Sequence, residues 1–151
     1  MFDKVLLKNA EIPNAHGIGA YEAAGGYRAL ATVLHEYSPD ELIQLVKDSN
    51  LRGRGGAGFP TGVKWGFVPK DPALEKYLCC NADESEPGTF KDRVIMEKDP
   101  HQMIEGMVIG AYAIGAQKVI AHLGSSGWLN GWYFRQPDTQ MLIFLDRGTR
   151  T

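Results

Sequence analysis

Two stretches of this 151-residue chain hold the residue types that could do chemistry, and the denser is Gly53-Arg54-Gly55-Gly56-Ala57-Gly58-Phe59-Pro60-Thr61-Gly62-Val63-Lys64-Trp65. Five glycines within ten residues let a partner come close to the backbone, because no Cβ stands between them. Arg54 and Lys64 frame the run. Exposed amides beside two cations suit a phosphate or the edge of a flavin. Gly53-x-Gly55-x-x-Gly58 matches the dinucleotide fingerprint letter for letter, but that fingerprint follows a strand and opens a helix. Here Leu42 to Asp48 reads as a helix running into the glycines, and Phe59-Pro60 stands where the helix should begin. A Walker loop fails as well, since Lys64 does not directly follow Gly62 and Trp65 occupies the Ser/Thr position. A tight surface loop with no ligand is the plain alternative.

The second stretch is Asn81-Ala82-Asp83-Glu84-Ser85-Glu86-Pro87-Gly88-Thr89-Phe90-Lys91-Asp92-Arg93. Asn81, Asp83, Glu84 and Glu86 put four amide or acidic side chains within six residues. Three readings stand side by side: a solvated loop that caps the next helix, a hard-cation site, or a set of acceptors for the hydroxyls of a polar cofactor. EF-hand spacing is absent.

The surrounding elements must position these stretches. Residues 1–24 read as an extended lead-in broken by Pro13, Gly17 and Gly19. Tyr27, Leu30, Ala31 and Leu34 have helical spacing as far as His35, whose expected role is to meet the last carbonyls of that helix. Ser38-Pro39-Asp40-Glu41 is a helix start with a capping box, and Asn50 is a left-handed stop. Lys76 to Cys80 reads as a short buried strand. Asp99-Pro100-His101-Gln102 opens a further helix, with Asp99 as cap and Gln102 closing the box. Met103, Met107, Ala111 and Ile114 form its buried face and Gly115 its stop, while Gly106 and Gly110 would allow close packing. Lys118 to Leu123 reads as the next strand. Strand, acidic loop, helix and strand make a βαβ unit with parallel strands, and ligands in such sheets lie beyond the carboxyl ends of the strands.

Composition bounds the rest. The chain is the length of one domain, 44% hydrophobic and 23% charged, with a formal net charge of -2 and so no electrostatic footprint for nucleic acid. No stretch reaches membrane-spanning length, and the opening Met1-Phe2-Asp3-Lys4-Val5-Leu6-Leu7 lacks the long apolar region expected of a signal peptide. Cys79 and Cys80 are the two cysteines; as neighbours in a strand they point to opposite faces and cannot share a metal, and a reducing compartment fits them.

Together the two stretches resemble the signature segments of the NADH-binding, FMN-containing subunit of respiratory complex I, the NADH:quinone oxidoreductase. The resemblance extends over Gly25-Gly26-Tyr27, the Ser38-Pro39 helix and Asp99-Pro100-His101-Gln102 onward to about Ala116. The flavin subunits of NAD-linked hydrogenases and formate dehydrogenases share these segments.

The resemblance implies an α/β fold: a Rossmann-like βαβ core preceded by a helical N-terminal segment and a glycine-rich cofactor loop, incomplete at its C-terminus. It implies FMN contacts from Gly53, Arg54, Gly55 and Lys64 and from Asn81, Asp83 and Glu84. Gly56, Ala57, Gly58, Pro60, Thr61 and Gly62 complete the cofactor-binding stretch. Phe59 and Phe67 would stack on or flank the NADH adenine, and Glu86 would lie near the nicotinamide and its ribose. The implied reaction is hydride transfer from NADH to FMN, then single-electron transfer through iron–sulfur clusters to quinone. No side chain is needed as a nucleophile or general base, and the implied partners are NADH and the other peripheral-arm subunits. The implied location is the cytoplasmic face of a bacterial inner membrane, with the mitochondrial matrix as alternative.

Beyond about Val119 the likeness stops. Residues 1–122 are expected to form the N-terminal part of an FMN/NADH-binding domain. Residues 123–151 are expected to be a divergent tail, as a frameshift, an early stop or a faulty gene model would produce. The tail carries an Asn130-Gly131 turn signal between Trp128 and Trp132-Tyr133-Phe134, then an apolar run from Met141 to Leu145. The [4Fe–4S] cluster of the family needs four cysteines and this chain has two, so no metal ligands are expected here. The competing expectations are a fragment that binds no cofactor, and a nucleotide-binding module that uses the glycines for phosphates.

Overall fold

The computed structural model of the chain describes residues 5–84, 86–122 and 140–144; for His122 and residues 140–144 the description is of the backbone alone. Among the described residues the elements follow in order: α1 (Ile18–Ala23), α2 (Arg28–Glu36), α3 (Pro39–Asp48), α4 (Thr61–Gly66), β1 (Tyr77–Asn81), α5 (Lys91–Lys98), α6 (Pro100–Ile114), β2 (Lys118–His122) and β3 (Gln140–Phe144). The α/β class is as expected. The turn signal and aromatics at 128–134 lie outside the described residues.

Helix α3 starts where its cap demands. Ser38 Oγ accepts from the Glu41 N–H while the Glu41 carboxylate accepts from the Ser38 N–H at 2.8 Å, with Pro39 in the first turn. Asn50, at φ 54°, turns the chain left-handed just past the helix. Helix α6 begins with the Asp99 carboxylate accepting from the Gln102 N–H and ends at Gly115, φ 71°, with the Ala116 N–H reaching back to the Ala111 carbonyl. Gln102 does not close the box. Its Nε2 donates instead to the Leu6 carbonyl at 3.3 Å, because the N-terminal segment packs over the start of α6.

That segment is not an extended lead-in. Residues 5–17 form successive turns that feed α1. Asn9 Nδ2 donates to the buried Asp99 carboxylate at 2.8 Å, so an amide inside the segment holds it to the cap of α6.

β1 and β2 are parallel, with Tyr77 opposite Lys118 through to Asn81 opposite His122, and β2 pairs antiparallel with β3. The strand expected at Lys76 to Cys80 begins one residue later and is not buried: its residues alternate between exposed and half-buried, because one face packs Leu78 and Cys80 on the α6 cluster and the other is open. The crossover from β1 to β2 contains two helices rather than one. α5 was not foreseen, since its run Lys91–Lys98 carries too many charges to show an apolar face.

α6 is the centre of the molecule. One core cluster joins Met107, Ala111, Ala116, Val119, Ala121 and Ala82, with Leu78 and Cys80 of β1 against it. A second joins Val33, Leu42, Ile43 and Ala113, with Trp65 of α4 and Tyr112 against it. The sheet therefore docks on one side of α6, and α2, α3 and α4 on another. Of the two glycines expected to allow close packing, Gly110 is buried with neighbours, whereas no described atom approaches Gly106.

Candidate functional site

The glycine stretch is a loop closed at its base and open at its tip. Arg52 and Pro60 form an isolated antiparallel bridge, the Gly53 N–H donates to the Phe59 carbonyl at 2.9 Å, and the Thr61 N–H donates to the Leu51 carbonyl at 2.8 Å. Arg52 Nη1 adds a 3.2 Å bond to the Gly58 carbonyl. Pro60 then ends the loop and α4 begins at Thr61. The element entering the loop is a helix, as the sequence indicated, so the dinucleotide fingerprint has the wrong setting.

At the tip, residues 53–57 are exposed. Gly56 and Gly58 have φ of 96° and 61°, which disfavours any side chain there. Gly55 has no such conformation, yet a Cβ built on Gly55, Gly56 or Gly58 would meet no described atom within 4 Å. Among the described residues, the side chains of Arg54 and Lys64 have no ion-pair partner. Phe59 and Phe67 lie with ring centroids 6.2 Å apart and tilted by 53°, 47% and 71% exposed. Two aromatic faces beside a bare backbone suit a planar ring system.

Gly62 differs from the tip glycines. A Cβ there would fall 2.5 Å from the Lys47 backbone nitrogen, so this glycine lets α4 lie on α3. Trp65, three residues on, packs its indole against Gly110 of α6 and belongs to the core.

The acidic stretch leaves the carboxyl end of β1, the position where ligands meet parallel sheets. Asn81 Oδ1 accepts from the Asp83 N–H at 3.0 Å in an Asx turn. Glu84 turns its carboxylate to the start of α5, with Oε1 accepting from the Asp92 N–H at 2.9 Å and Oε2 from the Arg93 N–H at 3.0 Å. Burial of this side chain would raise its pKa, but those two N–H groups and the Lys91 ammonium 3.9 Å away outweigh it and hold the carboxyl below the usual carboxylate range. The Glu86 carbonyl accepts from both the N–H and the hydroxyl of Thr89, at 3.2 and 2.7 Å, while Glu86 itself is exposed. Among the described residues no three His, Cys, Asp or Glu side chains cluster as metal ligands.

The elements that carry the two stretches both pack on α6. Gly53, Arg54, Gly55, Gly56, Ala57, Gly58, Phe59, Pro60, Thr61, Gly62, Lys64 and Phe67 belong to one loop and the short helix behind it. Asn81, Asp83, Glu84 and Glu86 belong to the strand end and the turn after it. Trp65 of α4 and Leu78 of β1 both rest on Gly110, which ties the elements bearing the two loops to the same helix.

One polar cluster was not foreseen. Glu105 of α6 is buried and accepts from the Tyr21 hydroxyl, from the Tyr27 N–H at 3.1 Å and from the Leu30 N–H at 3.0 Å. The Tyr27 hydroxyl lies 2.8 Å from His101 Nδ1, and Tyr21 stacks on the His101 ring. Burial, and then the Glu105 carboxylate, pushes the Tyr21 phenol far above its ordinary range. The signal was present in the sequence: α6 is apolar on nearly every side, so an acid within it had to find partners.

A glycine loop with a bare tip, tied through one helix to the carboxyl end of a parallel strand pair, is the kind of site that accepts a flat, polar-edged cofactor. The chain belongs to the Nuo51 FMN-binding domain family, whose model matches residues 46–128 and so takes in both stretches. It is 64% identical over 123 residues to an NADH-quinone oxidoreductase subunit of Rhizobium meliloti (strain 1021), covering 82% of this chain and 29% of that protein. To the corresponding NADH-quinone oxidoreductase subunit of Aquifex aeolicus (strain VF5) it is 55% identical over 119 residues, 79% of this chain and 28% of that protein. Among solved structures, a NAD+-reducing NiFe hydrogenase in the air-oxidized state shares 44% identity at a TM-score of 0.57, over 78% of this chain and 19% of that one. The chain thus spans less than a third of the length of these curated relatives.

Proposed function

We propose that this chain carries FMN- and NADH-binding elements of the flavin subunit of an NADH:quinone oxidoreductase, respiratory complex I. The observation that carries the reading is the loop tip: Gly55, Gly56 and Gly58 leave open space above the backbone that no described protein group fills. Packing explains Gly62 and Gly110 but not these. A flavin ring laid on Gly53 to Gly58 would use that space, and the cations of Arg54 and Lys64 would meet its phosphate or electron-rich edge. Ala57, Pro60 and Thr61 shape the same loop.

Asn81 and Asp83 face the same task from the strand end, offering donors and acceptors to ribityl hydroxyls. Each Glu84 oxygen has a second lone pair, so capping α5 is compatible with accepting a hydroxyl. Phe59 and Phe67 offer their faces to the adenine of NADH, and Glu86, exposed at the turn, would accept from the nicotinamide ribose. FMN held by these residues would supply the redox chemistry between NADH and the iron–sulfur clusters and quinone of the assembled complex. The chain's own residues would bind and orient the two cofactors; none is needed as nucleophile or general base.

Other peripheral-arm subunits are the proposed partners, and through them the chain would sit at the cytoplasmic face of a bacterial inner membrane. Among the described residues no helix is long and apolar enough to cross a membrane. A hydrogenase flavin subunit is the second reading. It is favoured by 49% identity over 115 residues, 76% of this chain and 23% of the relative, to NADP-reducing hydrogenase subunit HndC of Solidesulfovibrio fructosivorans. The electron acceptor separates the two.

The test is FMN titration of the purified chain, followed by quenching of flavin fluorescence, with Arg54→Ala and Asp83→Ala alongside. Losing a hydrogen bond to a charged group is worth about 1.5–3 kcal/mol, so Arg54→Ala should weaken binding roughly 10- to 150-fold. A chain that is folded by circular dichroism and binds no FMN would overturn the reading and leave a fragment without cofactor.

A further inference from the structure

We propose that Gly110 is a positioning residue for the cofactor site, setting the separation of the glycine loop from the acidic turn. The proposal rests on the FMN reading above. A glycine in the middle of a helix weakens it relative to alanine, so its presence in α6 calls for a reason. Gly110 is buried, and a Cβ there would lie 2.9 Å from Leu78 Cδ1, 3.2 Å from Trp65 Cζ2 and 3.7 Å from Trp65 Cη2.

These two neighbours attach the two cofactor-bearing elements to α6. Trp65 belongs to α4, whose preceding residue, Pro60, closes the glycine loop. Leu78 belongs to β1, whose last residue, Asn81, opens the acidic turn three positions later. At Gly110, therefore, α4, α6 and β1 meet with no side chain from α6 between them.

α4 cannot simply back away from added bulk. Its Gly62 rests on α3 so closely that a Cβ would meet the Lys47 nitrogen at 2.5 Å and its Cα at 2.9 Å, both backbone atoms. The Leu78 methyl is the end of a flexible side chain and can swing aside, so the added bulk bears on the rigid Trp65 indole, and pushing the indole tips α4 and the glycine loop about the Gly62 seat while β1 stays in place. The cofactor spans both loops, so its affinity reports their spacing.

Gly106 provides the control. It lies on the same helix, exposed, with no described atom within 4 Å of its Cβ position. Alanine favours the helix at both positions and alters packing at one.

The experiment measures, on the full chain, the FMN dissociation constant and the thermal midpoint of the FMN-free protein for Gly106→Ala, Gly110→Ala and the double variant Gly110→Ala/Trp65→Phe. Gly106→Ala should bind as wild type. Gly110→Ala should bind FMN on the order of tenfold more weakly at temperatures where it is folded, a misplaced site being costly even when intact. The double variant should recover most of that loss, because phenylalanine lacks the outer indole ring that a methyl at 110 would crowd. Such a rescue is a coupling between two residues that a general loss of stability does not produce.

If Gly110→Ala lowers the midpoint but leaves the affinity of the folded chain unchanged, or if the double variant folds without regaining affinity, Gly110 is a packing residue only. If Gly110→Ala does not fold at any temperature, the positioning role is overturned and Gly110 is a packing residue, because relief of crowding alone would then restore the double variant. Absence of FMN binding by the wild-type chain is a different result, which removes the functional reading and the positioning role together.

Discussion

The glycine loop and the acidic turn look equally rich in chemistry, yet they use their residues in opposite ways. In the acidic turn the polar atoms are largely engaged by the chain itself: Asn81 holds the Asp83 N–H, Glu84 holds two N–H groups of α5, and the Glu86 carbonyl holds Thr89. In the loop the base is bonded and the tip is bare. A run of acids between a strand and a helix has orphan helix N–H groups within reach and satisfies them first. A run of glycines has no side chains to satisfy anything, so whatever lies on it comes from outside the loop. Density of suggestive residues alone does not separate these cases; the bonds each residue already makes do.

Substitutions can break or sharpen that contrast. The largest stability effect is expected at Gly62, the glycine of the run that packs. Gly62→Ala forces a methyl onto the Lys47 backbone and should cost about 1–3 kcal/mol in urea unfolding. Glu84→Gln comes next. It replaces one acceptor with an amide NH2 facing an N–H of α5, and should cost about 1–2 kcal/mol.

Its pH dependence has a definite sign. The folded-state pKa of Glu84 is lowered, so its contribution is fully present above the unfolded carboxylate value and is lost as pH falls through the folded value. Unfolding curves across an acid series should therefore show the gap between wild type and Glu84→Gln constant near neutrality and closing below about pH 4. A gap independent of pH would mean that the two N–H bonds do not depend on the charge. The smallest effect belongs to Gly55→Ala, with a change in stability within about 0.5 kcal/mol because its Cβ has no described neighbour. A thermal midpoint that falls as far as that of Gly62→Ala would erase the distinction between tip and base.

Where local signals are self-contained, the sequence was legible. The Ser38 box, the left-handed Asn50, the Asp99 cap and the Gly115 stop are each decided by a few adjacent residues, and all appear in the structure. The two strands flanking the crossover, and their parallel pairing, were readable from apolar runs and the length between them. Features decided at long range were not. The N-terminal segment reads as irregular because its partners, Asp99 and Gln102, lie far along the chain. α5 escaped because Glu84, which caps its first N–H groups, precede it by a loop rather than by one position. Gly62 reads like the other glycines of its run, since nothing local distinguishes a glycine that packs from one left bare.

The N-terminal segment also sets an order of events during synthesis. Asn9 meets Asp99 and Tyr21 meets Glu105, separations of 90 and 84 residues. At translation rates of about 5–20 residues per second, Asn9 waits roughly 4–18 s for its partner to be made. Over that interval Asn9 and Tyr21, both buried in the finished fold, lack the partners that satisfy them, and the segment can only be completed once the start of α6 has left the ribosome. A ribosome that pauses shortly before α6 would prolong that wait.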